Sequence, residues 1–172
     1  MLELASLHKE KLITMYRKTW RNPKYRFYSL GVYFEDLTIE DSTWGGEQFA
    51  SLNSAGEIVG YVAARYRRET ESVSDLQFLS FTEGINHVTA RDMLHFIDTL
   101  FSSRIRKISF DVVCGNPIEP TYEKLVKRYG GRVVGIMTGE TRLVDGGYYD
   151  TKLFEILKSD YDRMKKKKSE VG

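Results

Sequence analysis

The chain has 172 residues, 41% of them hydrophobic and 29% charged, a net charge of +2, three prolines and one cysteine. Its length suits one ordinary domain, and its apolar and aromatic content (nine Phe, two Trp, eleven Tyr) excludes a disordered or Pro-rich linker protein. One cysteine excludes an internal disulfide framework and a Cys-based zinc site, no apolar run approaches ~18 residues, and MLELASLHKEKL lacks a signal-peptide core, so a soluble cytoplasmic protein with no membrane span is expected.

The charge is unevenly placed. Lys158–Gly172 holds six basic residues against three acidic ones, which leaves residues 1–157 with 20 basic and 21 acidic residues. A nucleic-acid-binding protein spreads basic charge over its folded surface, and this body is balanced, so nucleic acid is not the expected partner. The expected organisation is one domain over residues 1–160 and a basic, solvated C-terminal tail over 161–172; a weak phosphate contact is the lesser reading of Lys165–Lys168.

In chain order, Leu12, Ile13, Tyr16 and Trp20 recur at helical spacing after Ser6, read as the N-cap, and Asn22–Pro23 stops that helix. Residues 24–46 are aromatic without a clear period; a second short helix and irregular structure both fit. Gln48–Leu52 and Glu57–Arg68 then read as strands joined by the turn Asn53-Ser54-Ala55-Gly56. In the second of these, Ile58, Val62, Ala64 and Tyr66 are assigned to one face and Val59, Tyr61 and Ala63 to the other, as in a strand covered on both sides. Val73–Thr82 is the next strand. Thr89-x-x-Asp92 reads as a capping box opening a helix with the apolar stripe Met93, Phe96, Ile97, Leu100 and Phe101.

Lys107–Val113 is the following strand, and this strand–helix–strand unit predicts a right-handed crossover between two parallel strands. Asn116–Pro117 breaks it, a helix runs from about Pro120 to Tyr129, and Gly130-Gly131 ends that helix. Arg132–Val144 and Tyr148–Lys158 form a hairpin around Asp145-Gly146-Gly147. The fold class is therefore α/β: a mixed, mostly antiparallel sheet with a central parallel β-α-β pair and helices on both faces. Such folds bind ligands beyond the carboxyl ends of the parallel strands, here Phe81–His87 and Val113–Pro117. The first leads into a helix N-terminus, where free N–H groups and the helix dipole favour a phosphate.

The segments GEIVGYVAARY (56–66), LQFLSFTEGINHVTARDMLHFI (76–97) and VVCGNPIEPTYEKLVKRYGG (112–131), with the closing hairpin, resemble the GNAT superfamily of acyl-CoA N-acyltransferases. The resemblance implies a splayed pair of parallel strands that holds the pantetheine arm of acetyl-CoA (or another acyl-CoA) as co-substrate. It also implies direct attack on the thioester by an amine acceptor: a small molecule, a peptide or a protein lysine. The sequence departs from the family at the pyrophosphate loop, Arg/Gln-x-x-Gly-x-Gly/Ala, where Asn86, Thr89 and Arg91 stand and the nearest glycine is Gly84. A GNAT-fold binding or interaction module without catalysis is the alternative reading that this departure motivates.

The resemblance places the cofactor-binding residues at Leu79 and Phe81, whose strand backbone polarises the thioester oxygen, at Asn86, Thr89, Ala90 and Arg91 around the helix N-terminus, and at Asn116, whose other reading is a turn residue. Asp75 is the candidate base, on one strand face with Gln77 and with Asp111 on the parallel neighbour; its other reading is a solvated strand-end residue. Tyr122 is the candidate acid for the departing thiolate, or else a core tyrosine in the row Ile118, Leu125, Tyr129. Cys114 lacks an adjacent base and reads as a small buried residue. His8, His87 and His95 show no metal-ligand spacing, so no metal is expected.

Overall fold

The computed structural model describes residues 1–28, 34–82 and 86–171. Within them one seven-stranded sheet runs in the order β1-β2-β3-β4-β5-β7-β6. Its strands are β1 (Leu2–Leu4), β2 (Gly46–Leu52), β3 (Ile58–Arg67), β4 (Ser72–Ser80), β5 (Lys107–Val113), β6 (Arg132–Arg142) and β7 (Tyr148–Leu157). The helices are α1 (Lys9–Arg17), α2 (His87–Ser102), α3 (Glu119–Arg128) and α4 (Lys158–Val171). Every neighbouring pair is antiparallel except β4 and β5, which are parallel. The mixed sheet with one central parallel pair is the fold class read from the sequence.

Two apolar clusters cover the two faces, as the apolar runs of β3 require. On one face α2, α3 and α4 pack over Val62, Ala64, Leu76, Ile108, Phe110, Phe154 and Ile156. On the other, Leu12 of α1 and Ile39 of the segment before β2 pack over Ala50, Leu52, Tyr61 and Ala63. Ile58 belongs to this second cluster, not with Val62 as strict alternation predicts. A bulge is the cause: Ser51 pairs with Gly60 but Leu52 pairs with Ile58, so Val59 is an extra residue and the strand before it changes face.

Three local starts and stops also differ from expectation. Ser6 caps no helix; β1 pairs with β2, a 3-10 turn covers Ala5–His8, and α1 begins at Lys9. The cap of α2 is Asn86, whose Oδ1 accepts from the N–H groups of Val88 and Thr89, so the helix begins before the Thr89–Asp92 pair. Asp92 is instead buried, accepting from the Ser51 hydroxyl at 2.8 Å and from the Met1 amino group at 3.0 Å. Finally, the segment read as a solvated tail is helical. Tyr161 stacks on Phe101 (4.6 Å between ring centroids) and donates to Asp98 at 2.8 Å, while Lys165 reaches the other Asp98 oxygen at 3.0 Å. An apolar anchor one turn into a charged sequence is enough to dock it.

Gly60 fixes how α2 sits on the sheet. A Cβ there would lie 2.6 Å from Thr89 Oγ1 and 2.8 Å from the Leu79 carbonyl oxygen, so only glycine lets the first turn of α2 approach β3 and β4 this closely. Gly60→Ala is expected to destabilise the protein by about 1–3 kcal/mol in urea unfolding, the usual cost of overpacking. Adding Thr89→Ala should recover only part of it, because the Leu79 carbonyl stays in place. Full recovery would show that the helix contact alone sets the requirement.

Candidate functional site

β4 and β5 are paired only at Ser72–Lys107 and Val73–Ile108. Beyond these two positions the strands part from each other, β4 staying paired with β3 and β5 with β7. The ring of Tyr122, from α3, stands between them: it meets Phe110 of β5 edge-on at 5.4 Å and Phe78 of β4 at 6.3 Å. The residue is buried, and its hydroxyl has no hydrogen-bond partner among the described residues. Desolvation first, then the proximity of the Tyr28 phenol and of Asp111, pushes the Tyr122 phenol well above its ordinary range, so it holds its proton at neutral pH.

The parting leaves the outer edge of β4 without a strand partner. Phe81 donates its N–H to Val59 at 2.9 Å, on the β3 side. By the alternation of an antiparallel ladder, Leu79 also turns its backbone to β3 and Ser80 turns away from it. Of the stretch 79–81, where the sequence points to a polarising amide, Ser80 therefore presents the outward one. Its N–H donates to the Tyr28 hydroxyl at 2.9 Å, and that hydroxyl donates to the Ser80 carbonyl at 2.9 Å. Leu79 and Phe81 set their side chains against the cluster under α1.

On that same face lies a cavity of about 410 Å³, walled by Tyr16, Tyr28, Glu35, Glu40, Asp75 and Gln77 among others. Its outer wall, the irregular segment before β2, is pinned by Gln48, which donates to Thr38 at 2.8 Å and accepts from the Glu40 N–H at 2.8 Å. Arg17 adds a bidentate pair with Asp36 and holds that carboxyl below its ordinary range. Asp75 and Gln77 share this face, and Gln77 donates to Asp75 at 2.9 Å. Asp111 lies near them: desolvation, and next the charge of Asp75, raise its carboxyl above the ordinary value. Neither Asp75 nor Asp111 has a cation within ion-pair distance among the described residues.

The first turn of α2 gathers the remaining predicted residues. Asn86 uses its carboxamide as the cap and donates its Nδ2 to Thr82 at 2.8 Å. Thr89 turns its hydroxyl inward against Gly60, buried and without a partner among the described residues. Ala90 donates its N–H to the Asn86 carbonyl, and Arg91 is exposed, 3.5 Å from Asp92. A phosphate at this helix end has to share the cap with Asn86. Gly84 lies outside the described residues. Asn116 sits in the turn after β5, with Oδ1 accepting from Ile118 at 3.1 Å, at the other mouth of the opening.

Sequence reasoning missed Tyr16, Tyr28, Glu35, Glu40 and Ser80. Tyr28, Glu35 and Glu40 lie in the segment 24–46, which has no clear period, Tyr16 was read only as part of the apolar stripe of the first helix, and Ser80 contributes only backbone, which leaves no signature in composition. Among the described residues no three His, Cys, Asp or Glu side chains gather as metal ligands, and no helix is long and apolar enough to cross a membrane.

No family model and no curated protein matches this sequence. Solved structures do match in fold. A spermidine N-acetyltransferase from Vibrio cholerae, in complex with CoA and spermine, superposes with a TM-score of 0.71 at 17% identity, over 94% of this chain and 96% of that one. A putative phosphinothricin N-acetyltransferase gives 0.68 at 18% identity, over 91% and 97%. A GCN5-related N-acetyltransferase from Kribbella flavida gives 0.66 at 16% identity, over 91% and 96%. The chain has the fold of GNAT-type N-acetyltransferases.

The raised Asp111 carboxyl has a stability consequence with a definite sign. A folded-state value above the unfolded one means that the ionised group opposes folding at neutral pH, and that this penalty fades as pH falls through the folded value towards the ordinary carboxylate range. Asp111→Asn is expected to raise Tm at pH 7, with the gain shrinking to nothing near pH 4. A gain that persists undiminished in acid would assign the effect to packing instead.

Proposed function

We propose that this protein is a CoA-dependent N-acyltransferase that moves an acetyl group from acetyl-CoA to a small cationic amine. The observation that carries the reading is the opening between β4 and β5. It turns the outward backbone of Ser80 away from any strand and onto the Tyr28 phenol, has the proton-holding Tyr122 at its wall and adjoins a cavity lined with carboxylates. An extended pantetheine arm suits such an edge, because it can be hydrogen-bonded as an added strand. Ser80 and Asn116 would hold the arm, and the α2 N-terminus with Arg91 the phosphates. Acetyl-CoA, when bound, supplies the acyl group as an activated thioester.

The chain's own residues then have separable tasks. Asp75 takes a proton from the ammonium of the acceptor, which frees the nitrogen lone pair for attack. Gln77 holds the Asp75 carboxylate in place. The Ser80 N–H faces the oxygen on which negative charge develops. As the new N–C bond forms and the C–S bond breaks, Tyr122 Oη would give its proton to the leaving sulfur, and the surplus proton on the acylated nitrogen would pass through water to the phenolate. The cavity favours a cationic acceptor: Glu35, Glu40 and Asp75 line it with Arg65, while Asp36 is already neutralised by Arg17. The Vibrio cholerae neighbour, whose structure contains spermine, supports an aliphatic amine of that kind.

The non-catalytic alternative has one observation in its favour. Asn86 already occupies the cap of α2, and Thr89 points inward, so the phosphate end is less open than the arm. Ligand-induced stabilisation and turnover distinguish the two. Acetyl-CoA at ~100-fold its Kd adds about 2.7 kcal/mol, worth roughly 5–10 °C in Tm for a domain of this size. No shift at millimolar acetyl-CoA or CoA would reject the enzyme reading, and a shift without acetylated product across an amine panel would favour the binding module.

Within the enzyme reading, Asp75→Asn and Tyr122→Phe are each expected to lower kcat by ~10²-fold or more. Both should keep the acetyl-CoA thermal shift. Diamines and polyamines should outperform neutral primary amines, with KM rising as salt screens the carboxylates.

A further inference from the structure

The contact between Tyr28 and Ser80 is unusual in kind. One phenol satisfies both the N–H and the C=O of a strand residue, each at 2.9 Å, on the edge where a neighbouring strand is missing. A part-buried backbone pair without a strand neighbour takes water or a side chain as its partner, and here a side chain from outside the sheet does it. The phenol is itself anchored: Tyr16 of α1 donates its hydroxyl to the Tyr28 carbonyl at 2.7 Å. Both tyrosines also wall the carboxylate-lined cavity. Tyr28 thus stands at the junction of the two spaces that the proposed reaction needs, one for the acyl-CoA arm and one for the amine.

We infer that Tyr28 is a placeholder on the Ser80 backbone, which the acyl-CoA arm displaces, so that arrival of the cofactor opens the acceptor cavity and precedes binding of the amine. This rests on the acyltransferase reading above. The exclusivity is chemical: the Ser80 amide has one hydrogen to donate, and it cannot serve the phenol and an incoming acceptor atom together. The displaced phenol leaves the cavity wall, so occupancy of the arm's edge and access to the cavity are coupled through one side chain. Coupling of this kind is reciprocal, and amine binding must in turn favour the cofactor.

The test uses the whole chain, with CoA titrated by calorimetry into wild type and Tyr28→Phe. Removing the hydroxyl removes the competing contact in the free protein, so Tyr28→Phe is expected to bind CoA more tightly, by roughly 5- to 30-fold for the one or two neutral hydrogen bonds lost. Its free form should melt lower. Spermidine, as the amine probe, should bind wild type at least tenfold more tightly when CoA is present, and that dependence should shrink in the variant. Unchanged CoA affinity would overturn the proposal, as the Ser80 pair would then not be used. Weaker CoA binding would overturn it too, because the phenol would be a retained contact.

If Tyr28→Phe does not fold, Tyr16→Phe loosens the same anchor, and a smaller shift in the same direction is expected; no shift would count against the placeholder. Should neither wild type nor variant bind CoA, the acyltransferase reading itself fails. A wild type that binds CoA with an unaltered variant rejects the placeholder alone.

Discussion

The parting of β4 from β5 after two residue pairs is the constraint on which the rest of the molecule depends. Parallel neighbours ordinarily stay paired, and here the aromatic wedge Phe78–Tyr122–Phe110 fills the space that a ladder would close. The wedge belongs to the core that α3 shares with α2, so the opening is held by the same apolar burial that stabilises the domain. Its consequence is a polar one. Backbone groups on the facing edges lose strand partners, and each must find water, a side chain or a ligand. Ser80 finds Tyr28, which draws the segment after α1 across the sheet and gives the cavity its wall.

Much of this was legible in the sequence, because it followed from period and punctuation. The strand–helix–strand unit, the turn at residues 53–56, the glycine pair after α3 and the final hairpin all combine a hydrophobic period with a residue that ends it. The errors share a cause of another kind. Ile58 changes face because of a bulge, and a bulge is set by the partner strand rather than by local pattern. Asp92 looks like a capping residue until the Ser51 hydroxyl, 41 residues away, proves to be its partner. The end of the chain looks frayed until Tyr161 finds Phe101 and Asp98, although Lys165, Lys166 and Lys167 are exposed as expected. Long-range contacts decide such residues, and composition does not announce them.

The candidate site divides in the same way. Asp75, Gln77 and Asp111 were readable as neighbours, since strand alternation puts them on one face of adjoining strands. Tyr122 was readable only as one of two roles, and its burial between two rings makes it both a core residue and a proton holder. Tyr28 was not readable at all: it follows Pro23 in a run of aromatics with no repeat, and its role is defined by backbone atoms of a strand 52 residues away. A side chain that binds main chain imposes no sequence requirement on its partner.

The carboxylates show where structure stops and chemistry can begin. Glu155, buried, is held low by Lys107 and Arg132; Glu119 is held low by Lys152 and the Gly115 N–H; Asp98 is bound by Tyr161 and Lys165. Asp92 has its hydroxyl and amino donors, and Asp36 has Arg17. Each of these acids is matched by a donor that explains its place in the fold. Asp75 and Asp111 differ in having no cation beside them among the described residues, Asp75 being met only by the neutral donor Gln77. The two lie near each other at the opening, and desolvation, then the charge of Asp75, raises the Asp111 carboxyl. Neither acid meets a cation among the described residues, so the fold supplies no counter-charge for the pair. Under the proposed reading, an arriving ammonium would supply the counter-charge that the pair lacks, and losing a proton to Asp75 would leave that charge neutralised where it stands.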